Sequence, residues 1–189
     1  LAVVVALGTV ADVVPLDANN RVLVSQGLQR IRSGRCVPGI QALLKIADRA
    51  DNDLTAADLA FAVAPRLNAA GRIDDMSIGI RCLLADDPAE AGALAERLND
   101  FNLERREIEA RMQAEAFSAV RRLKDPGPRT LHRSGVCLFD DSWHQGVVGL
   151  VASRVKDKLR RPVIAFALAG EAQLRGSARS VAGIHIRDV

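Results

Sequence analysis

The chain has 189 residues, 49% of them hydrophobic and 26% charged, which is the composition of a soluble globular protein. No apolar run approaches the roughly 20 residues that a membrane-spanning helix needs, and three widely separated cysteines argue against a disulfide framework and favour a reducing cytoplasm. The net charge is only +3, but most of the cations are arginine, which suits bidentate phosphate binding, so the composition permits a nucleic-acid partner.

The first predicted element is a strand followed by a loop. Leu1–Leu7 is a continuous apolar run with three successive β-branched valines that ends at Gly8, a pattern typical of a strand buried on both faces of a parallel sheet. A loop is predicted over Thr9–Asp17, because Pro15 blocks a helix there. Asp12 would then lie beyond the carboxyl end of a strand, where α/β sheets bind ligands. It is a candidate metal ligand, although an aspartate in a loop is also a common turn former.

Helices are predicted for most of the chain from there to residue 123. Apolar spacing and the positions of glycine and proline predict them at Asn19–Arg32, Pro38–Ala47, Ala56–Ala64, Met76–Leu84 and Ala89–Leu123. Thr55 and Asp58 form a capping box before the third helix, and Pro65 is predicted to end it. The last helix would be on the order of 50 Å long, which is typical of a coiled-coil strand or an inter-domain strut.

A second α/β pattern follows the helix stop at Asp125–Pro128. Val136–Phe139 and Val163–Phe166 are predicted strands, Gly146–Leu159 is the helix between them, and Gly176–Val181 is a further strand or its leading loop. The predicted fold is therefore α/β, with a first α/β domain, a long connecting helix and the start of a second α/β domain. The predicted limits are 1–86, 87–125 and 126–189.

The segment Pro65–Arg72 (PRLNAAGR) is a candidate phosphate-binding surface. Arg66, Asn68 and Arg72 stand among small residues that leave backbone N–H groups accessible. The alternative is a helix C-terminus in which Gly71 is a left-handed cap and the arginines are solvated.

Two further segments of the second part could bind phosphate. Trp143, His144 and Gly146 lie where a strand leads into a helix, and a helix N-terminus binds anions; alternatively, Trp143 is packing at a domain edge. In an extended segment Ser177 and Arg179 share one face, with Ser180 beside them, so that a hydroxyl and a guanidinium could bind one phosphate together.

Four stretches in order resemble the RecJ exonucleases of the DHH phosphoesterase superfamily over essentially the whole chain. They are ALGTVADVVPL at Ala6–Leu16, PRLNAAGR at Pro65–Arg72, WHQGVVGLVASR at Trp143–Arg154 and GSARS at Gly176–Ser180. The resemblance implies a fragment: the later half of the DHH catalytic domain, the inter-domain helix, and the beginning of the DHH-associated domain. It also implies a single-strand-specific 5′→3′ DNA exonuclease that acts in DNA repair and recombination.

The resemblance also implies roles for individual residues. Asp12 matches one ligand of a cluster that binds Mn²⁺ or Mg²⁺; the chain has no Asp-His-His triplet, so the other ligands are expected upstream of Leu1 and the fragment alone is expected to be inactive. Catalytic roles are implied for Arg66, Asn68, Arg72 and His144, and phosphate or nucleic-acid contacts for Trp143, His144, Gly146, Ser177, Arg179 and Ser180. The expected partners are single-stranded DNA and single-strand-binding protein, with no membrane and a monomeric state.

Two alternatives stay open at this point. One is a DHH-superfamily phosphodiesterase acting on short oligonucleotides or cyclic dinucleotides, and the other is a non-catalytic nucleic-acid-binding relative. The retained Asp12 argues against the second.

Overall fold

The computed structural model describes residues 1–49, 52–123, 135–170 and 173–188, which form two compact units. Unit 1 is Leu1–Glu104 and unit 2 is Arg105–Val189, so the division falls within one long helix. The domain limits predicted near residues 86 and 125 stay predictions. The second of them, with the helix stop at Asp125–Pro128, lies outside the described residues.

The described part of unit 1 is helical. Its elements are α1 (Ala2–Ala11), α2 (Ala18–Arg32), α3 (Pro38–Ile46), α4 (Ala56–Asp58), a π-helical turn (Leu59–Val63), α5 (Ala64–Ile73), α6 (Ser77–Leu84) and the first part of α7 (Pro88–Leu123). The predicted helices are thus confirmed to within a few residues, apart from the region around Pro65. No helix among the described residues is both long and apolar enough to cross a bilayer.

The strand predicted at Leu1–Leu7 is wrong, because these residues belong to helix α1. A short apolar run cannot distinguish a buried strand from a buried helix by periodicity alone. Close packing on α2 favours the helix: a Cβ on Gly27 would lie 2.3 Å from the Cβ of Ala6 and 3.0 Å from the carbonyl oxygen of Ala2. Two helices can approach so closely only where one of them lacks a side chain.

The prediction that Pro65 ends a helix is also wrong. The capping box of Thr55 and Asp58 is present, but the chain then widens into a π-helical turn in which the amide of Ala64 donates to the carbonyl of Leu59. The wider turn precedes Pro65, which has no N–H to donate, and α5 continues beyond it to Ile73. Gly71 therefore lies inside α5 and is not a left-handed cap.

Unit 2 contains the rest of α7 and a small sheet with one connecting helix. The elements are β1 (Val136–Phe139), α8 (Val148–Leu159), β2 (Val163–Leu168) and β3 (Leu174–Arg179). The strand order is β1-β2-β3, with β1 parallel to β2 and β2 antiparallel to β3. The predicted strands and their connecting helix are confirmed, and so is the α/β class of the chain.

The register of β2 and β3 decides which side chains of β3 face α8. Val163 pairs with Arg179, Ala165 with Ser177 and Ala167 with Arg175. These three residues of β2 are fully buried, and side chains of directly opposed residues point to the same face of a sheet. Arg175, Ser177 and Arg179 therefore lie on the face of the sheet that α8 covers, and the first turn of α8 begins beside them.

Candidate nucleic-acid interface

The loop between β1 and α8 is ordered by a carboxylate at the end of the strand. Asp140 Oδ1 accepts hydrogen bonds from the amide of Ser142 at 3.0 Å and from its hydroxyl at 2.7 Å, and the amide of Trp143 donates to the carbonyl of Asp140 at 3.3 Å. The hydroxyl and amide of Ser142 stabilise the charged carboxylate and lower the pKa of Asp140. This turn fixes the chain direction at residues 143 and 144.

His144 presents one ring nitrogen to the loop and has the other available to donate. Its Nδ1 accepts from the amide of Gly146 at 3.1 Å, and its carbonyl accepts from the amide of Val147 at 3.0 Å. Because Nδ1 is an acceptor, the hydrogen-bond geometry assigns the ring proton to Nε2. The half-buried imidazole can therefore donate a hydrogen bond to a phosphate oxygen.

Ser177 and Arg179 lie against the first turn of α8 at Gly149. A Cβ on Gly149 would stand 3.0 Å from Arg179 Nη2 and 3.2 Å from Ser177 Oγ, so the absent side chain leaves room for both groups. A second guanidinium nitrogen of Arg179, Nη1, donates to the carbonyl of Ala178 at 3.1 Å. Helix N-terminal amides carry partial positive charge, so a guanidinium, a hydroxyl and a helix N-terminus converge here. This combination is suited to a phosphate.

Two residues of this cluster were missed by the sequence analysis. Arg175 donates from Nη1 to Gln145 Oε1 at 3.3 Å, which extends the cationic face along β3. Its place two residues before Ser177 follows from the alternation of a strand, once the strand is known to start at Leu174. Gly149 is a glycine in the first turn of a helix, and only its contact with β3 reveals its role.

Trp143 and Ser180 make contacts inside unit 2. Trp143 is 4% exposed, and its indole N–H donates to Glu115 Oε2 on α7 at 2.9 Å. This geometry favours packing for Trp143, the alternative that the sequence left open, over base stacking. Ser180 Oγ accepts from the amide of Ile186 at 3.1 Å and closes the turn that follows β3. The binding roles of both residues stay predictions.

The polar residues of the motif Pro65–Arg72 differ in their contacts on α5. Arg66 donates from Nε to Asn99 Oδ1 on α7 at 3.0 Å and from Nη1 to the carbonyl of Ala62 in the π-helical turn at 2.6 Å. Arg66 thus joins α5 to α7 within unit 1. Asn68 is exposed and Arg72 is half-buried, and their four-residue spacing places them on one helix face.

Asp12 is exposed, but it follows a helix and not a strand as predicted. Its amide donates to the carbonyl of Gly8 at 3.1 Å, and the next residue, Val13, has a left-handed φ of 54°, which is unusual for a β-branched side chain. Cations are favoured near a helix C-terminus. Among the described residues, however, no three His, Cys, Asp or Glu side chains lie close enough together to hold a metal ion. Asp12 can be one ligand of a metal site, but the described part of the chain does not complete one.

Comparison with known proteins supports the resemblance to RecJ. Residues 132–189 match the family model of the DHHA1 domain. The chain is 56% identical over 184 residues to the single-stranded-DNA-specific exonuclease RecJ of Dickeya dadantii and 55% identical over 184 residues to that of Escherichia coli. Each alignment covers 97% of this chain and 32% of the relative, so the chain spans about a third of the length of these curated relatives.

Solved structures agree with the sequence comparison. The RecJ of Thermus thermophilus in complex with Mg²⁺ has a TM-score of 0.82 at 35% identity, covering 99% of this chain and 27% of that one. An exonuclease RecJ bound to manganese has a TM-score of 0.79 at 34% identity, covering 99% of this chain and 44% of that one. The resemblance in the four motifs is confirmed, and the chain corresponds over nearly its whole length to part of RecJ.

Proposed function

We propose that this chain is part of a single-strand-specific 5′→3′ DNA exonuclease that hydrolyses phosphodiester bonds with Mn²⁺ or Mg²⁺ and acts in DNA repair and recombination. The observation that carries the proposal is the convergence of Ser177 and Arg179 on the first turn of α8 at Gly149. The names of the relatives and the Mg²⁺ and Mn²⁺ in the solved structures support it. They also favour it over an oligonucleotide or cyclic-dinucleotide phosphodiesterase and over a non-catalytic relative.

In this proposal the cluster around Gly149 binds a phosphate at the 5′ end of the strand. Arg179 offers a charged fork, Ser177 a hydroxyl and His144 the Nε2 proton, while the amides of the first turn of α8 add neutral donors. None of these groups reacts. They bind the end of the strand and orient it.

The residues of unit 1 serve the reacting phosphate in the same proposal. Asp12 would be the ligand that this chain contributes to divalent cations, which when bound would activate water and stabilise the leaving oxygen. On one face of α5, Arg72 neutralises charge on phosphoryl oxygens and Asn68 donates a hydrogen bond to them. Arg66, which is bound to Asn99 and Ala62, holds that face in place. The domain limits that go with this assignment are 1–86, 87–125 and 126–189.

We further propose a cytoplasmic monomer whose partners are single-stranded DNA and single-strand-binding protein. The cysteines support the reducing location. Cys36, Cys82 and Cys137 are not joined in a disulfide, and burial raises the pKa of the Cys82 thiol to about 11, which makes it unreactive.

The phosphate site is tested by the salt dependence of strand binding. Anisotropy of a labelled 5′-phosphorylated single strand, measured across salt concentrations, gives the slope of log K against log salt. Arg179→Ala should weaken binding and reduce that slope by about 0.7, the contribution of one phosphate contact on a single strand. Arg106→Ala, at an exposed arginine on α7, is the matched control and should leave both values nearly unchanged. An unaltered slope in Arg179→Ala would contradict the assignment.

A further inference from the structure

We infer that Glu115 on α7 is a positioning residue for His144 and that it acts through Trp143. The inference rests on the proposed function, because it assigns His144 to the phosphate site. All three residues belong to unit 2.

The first step is the hydrogen bond between α7 and the loop. The indole N–H of Trp143 donates to Glu115 Oε2 at 2.9 Å, and the indole is almost wholly buried. A buried indole donor needs an acceptor, because leaving it unpaired carries the full desolvation penalty. A carboxylate is a stronger acceptor than a neutral oxygen, so this contact fixes the ring.

The second step is the coupling from Trp143 to the next residue. The backbone of Trp143 is held to Asp140, and the imidazole of His144 is held by the amide of Gly146. The loop therefore has few ways to move the indole without turning His144. Any shift that lets the indole N–H find water changes the direction of the His144 Nε2 proton.

The third step is a contact between α7 and α8, in addition to the contact between α7 and the loop. Glu109 Oε1 lies 3.3 Å from Arg154 Nε on α8, while Glu109 Oε2 accepts from Arg105 at 2.6 Å. Two carboxylates of α7 thus hold the helix and the loop that leads into it. The Glu109 contact positions α8, and the Glu115 contact positions the loop. Of these two contacts, only that of Glu115 involves the residue next to His144 in the chain, which is Trp143.

The test compares binding of 5′-phosphorylated and 5′-hydroxyl single strands to the full chain. The dissociation constant of the 5′-hydroxyl strand divided by that of the 5′-phosphorylated strand measures selectivity for the phosphate. Glu115→Ala should lower this ratio by about tenfold, which corresponds to the low end of the range for a hydrogen bond to a charged group. Glu115→Gln keeps an acceptor oxygen and should restore the ratio to near wild type. Glu107→Ala, at an exposed glutamate on the same helix, is the matched control and should not change it.

Fluorescence gives a second readout, because the chain has one tryptophan and no tyrosine. The emission of Trp143 should move to longer wavelength in Glu115→Ala and stay in place in Glu115→Gln. If Glu115→Ala loses its helical circular dichroism, Trp143→Phe removes the same hydrogen bond while keeping an aromatic ring, and the same loss of selectivity is expected.

The outcomes separate this inference from the proposed function. If the wild-type chain shows no preference for the 5′-phosphate, the proposed phosphate site is wrong. If the wild type shows the preference and a folded Glu115→Ala or Trp143→Phe variant keeps it in full, the positioning role alone is overturned.

Discussion

At the scale of single residues, Gly149 shows how a missing side chain leaves room for the proposed phosphate site. Glycine costs a helix interior up to about 1 kcal/mol relative to alanine, so its place in the first turn of α8 needs a reason. The reason is that Arg179 and Ser177 occupy the space that a Cβ would restrict. Helix stability and phosphate binding therefore make opposite demands at this position.

Gly149→Ala should have opposite effects on phosphate binding and on helix stability. The added methyl group displaces the guanidinium of Arg179 and the hydroxyl of Ser177, so affinity for a 5′-phosphorylated strand should fall several-fold. The midpoint of thermal unfolding should hold or rise, because alanine favours the helix. Isothermal calorimetry and circular dichroism measure the two effects.

Gly92→Ala provides the control for this substitution. Gly92 lies in α7, and a Cβ there would meet open space among the described residues. This variant should raise the unfolding midpoint without changing strand affinity. Equal affinities for wild type and Gly149→Ala would show that Arg179 does not bind phosphate from the position described.

Asp140 gives a prediction on pH dependence. Its hydrogen bonds from Ser142 lower its pKa below the ordinary value of 3.8 in the folded chain. A lowered pKa means that the stabilisation is present above the unfolded value and is lost as pH falls through the folded value. Wild type should therefore be more stable than Asp140→Ala at about pH 6, and the difference should shrink at more acid pH.

Urea unfolding at several pH values measures this difference. Asp140→Asn keeps an acceptor for Ser142 but does not titrate, so its stability relative to wild type should change only on the acid side. A stability difference between wild type and Asp140→Asn that does not change with pH would exclude the carboxylate as the group responsible.

At the scale of secondary-structure elements, Arg66 links the π-helical turn, α5 and α7. Its guanidinium donates to a carbonyl of the widened turn and to Asn99 on α7. Arg66→Ala removes both bonds, and it should lower the free energy of unfolding by about 1.5–3 kcal/mol, the range for hydrogen bonds to charged groups. Denaturant unfolding followed by circular dichroism measures the loss.

Asn68→Ala is the comparison on the same helix. Its side chain is exposed, so the substitution should change stability by no more than about 0.5 kcal/mol. If Arg66→Ala were as mild, the contacts with Ala62 and Asn99 would not stabilise unit 1. In that case the catalytic role that the resemblance implies for Arg66 would be favoured over a structural one.

The same region shows what a sequence can predict about elements. The strands predicted at Val136–Phe139 and Val163–Phe166 were predictable, because short apolar runs flank an amphipathic helix. The helix α1 was not, because Leu1–Leu7 is apolar throughout and only its contact with Gly27 favours a helix. The continuation through Pro65 depends on a π-helical turn, for which the sequence contains no simple signal.

At the scale of the whole molecule, the candidate site was predictable where it follows strand periodicity and local motifs. Ser177 and Arg179 share a face because they alternate along β3, and this could be stated from the sequence. The burial of Trp143 could not be predicted, because its partner Glu115 is 28 residues away in the sequence. Nothing in the pattern of the long helix indicates a contact between the two. Side-chain contacts between distant elements are what the sequence pattern leaves open.

The distribution of the candidate site residues over the two units leads to a prediction for the whole chain. It carries the proposed phosphate-binding cluster in unit 2. Among the described residues of unit 1, Asp12 is the one proposed metal ligand, and no three His, Cys, Asp or Glu side chains are grouped so that they could hold an ion. One carboxylate cannot organise two cations at the spacing of about 4 Å that in-line hydrolysis uses. The chain of 189 residues should therefore bind a 5′-phosphorylated single strand and fail to shorten it, with or without Mn²⁺ or Mg²⁺.

An end-labelled single strand, incubated with the chain and Mn²⁺ and resolved by electrophoresis, measures this directly. Intact E. coli RecJ, which is about three times as long, is the positive control. Binding without cleavage means that recognition of the strand end and hydrolysis reside in separable parts of the polypeptide. Release of mononucleotides at the rate of the control would mean that the metal ligands lie within these 189 residues, and the assignment of Asp12 as one member of a larger cluster would then be wrong.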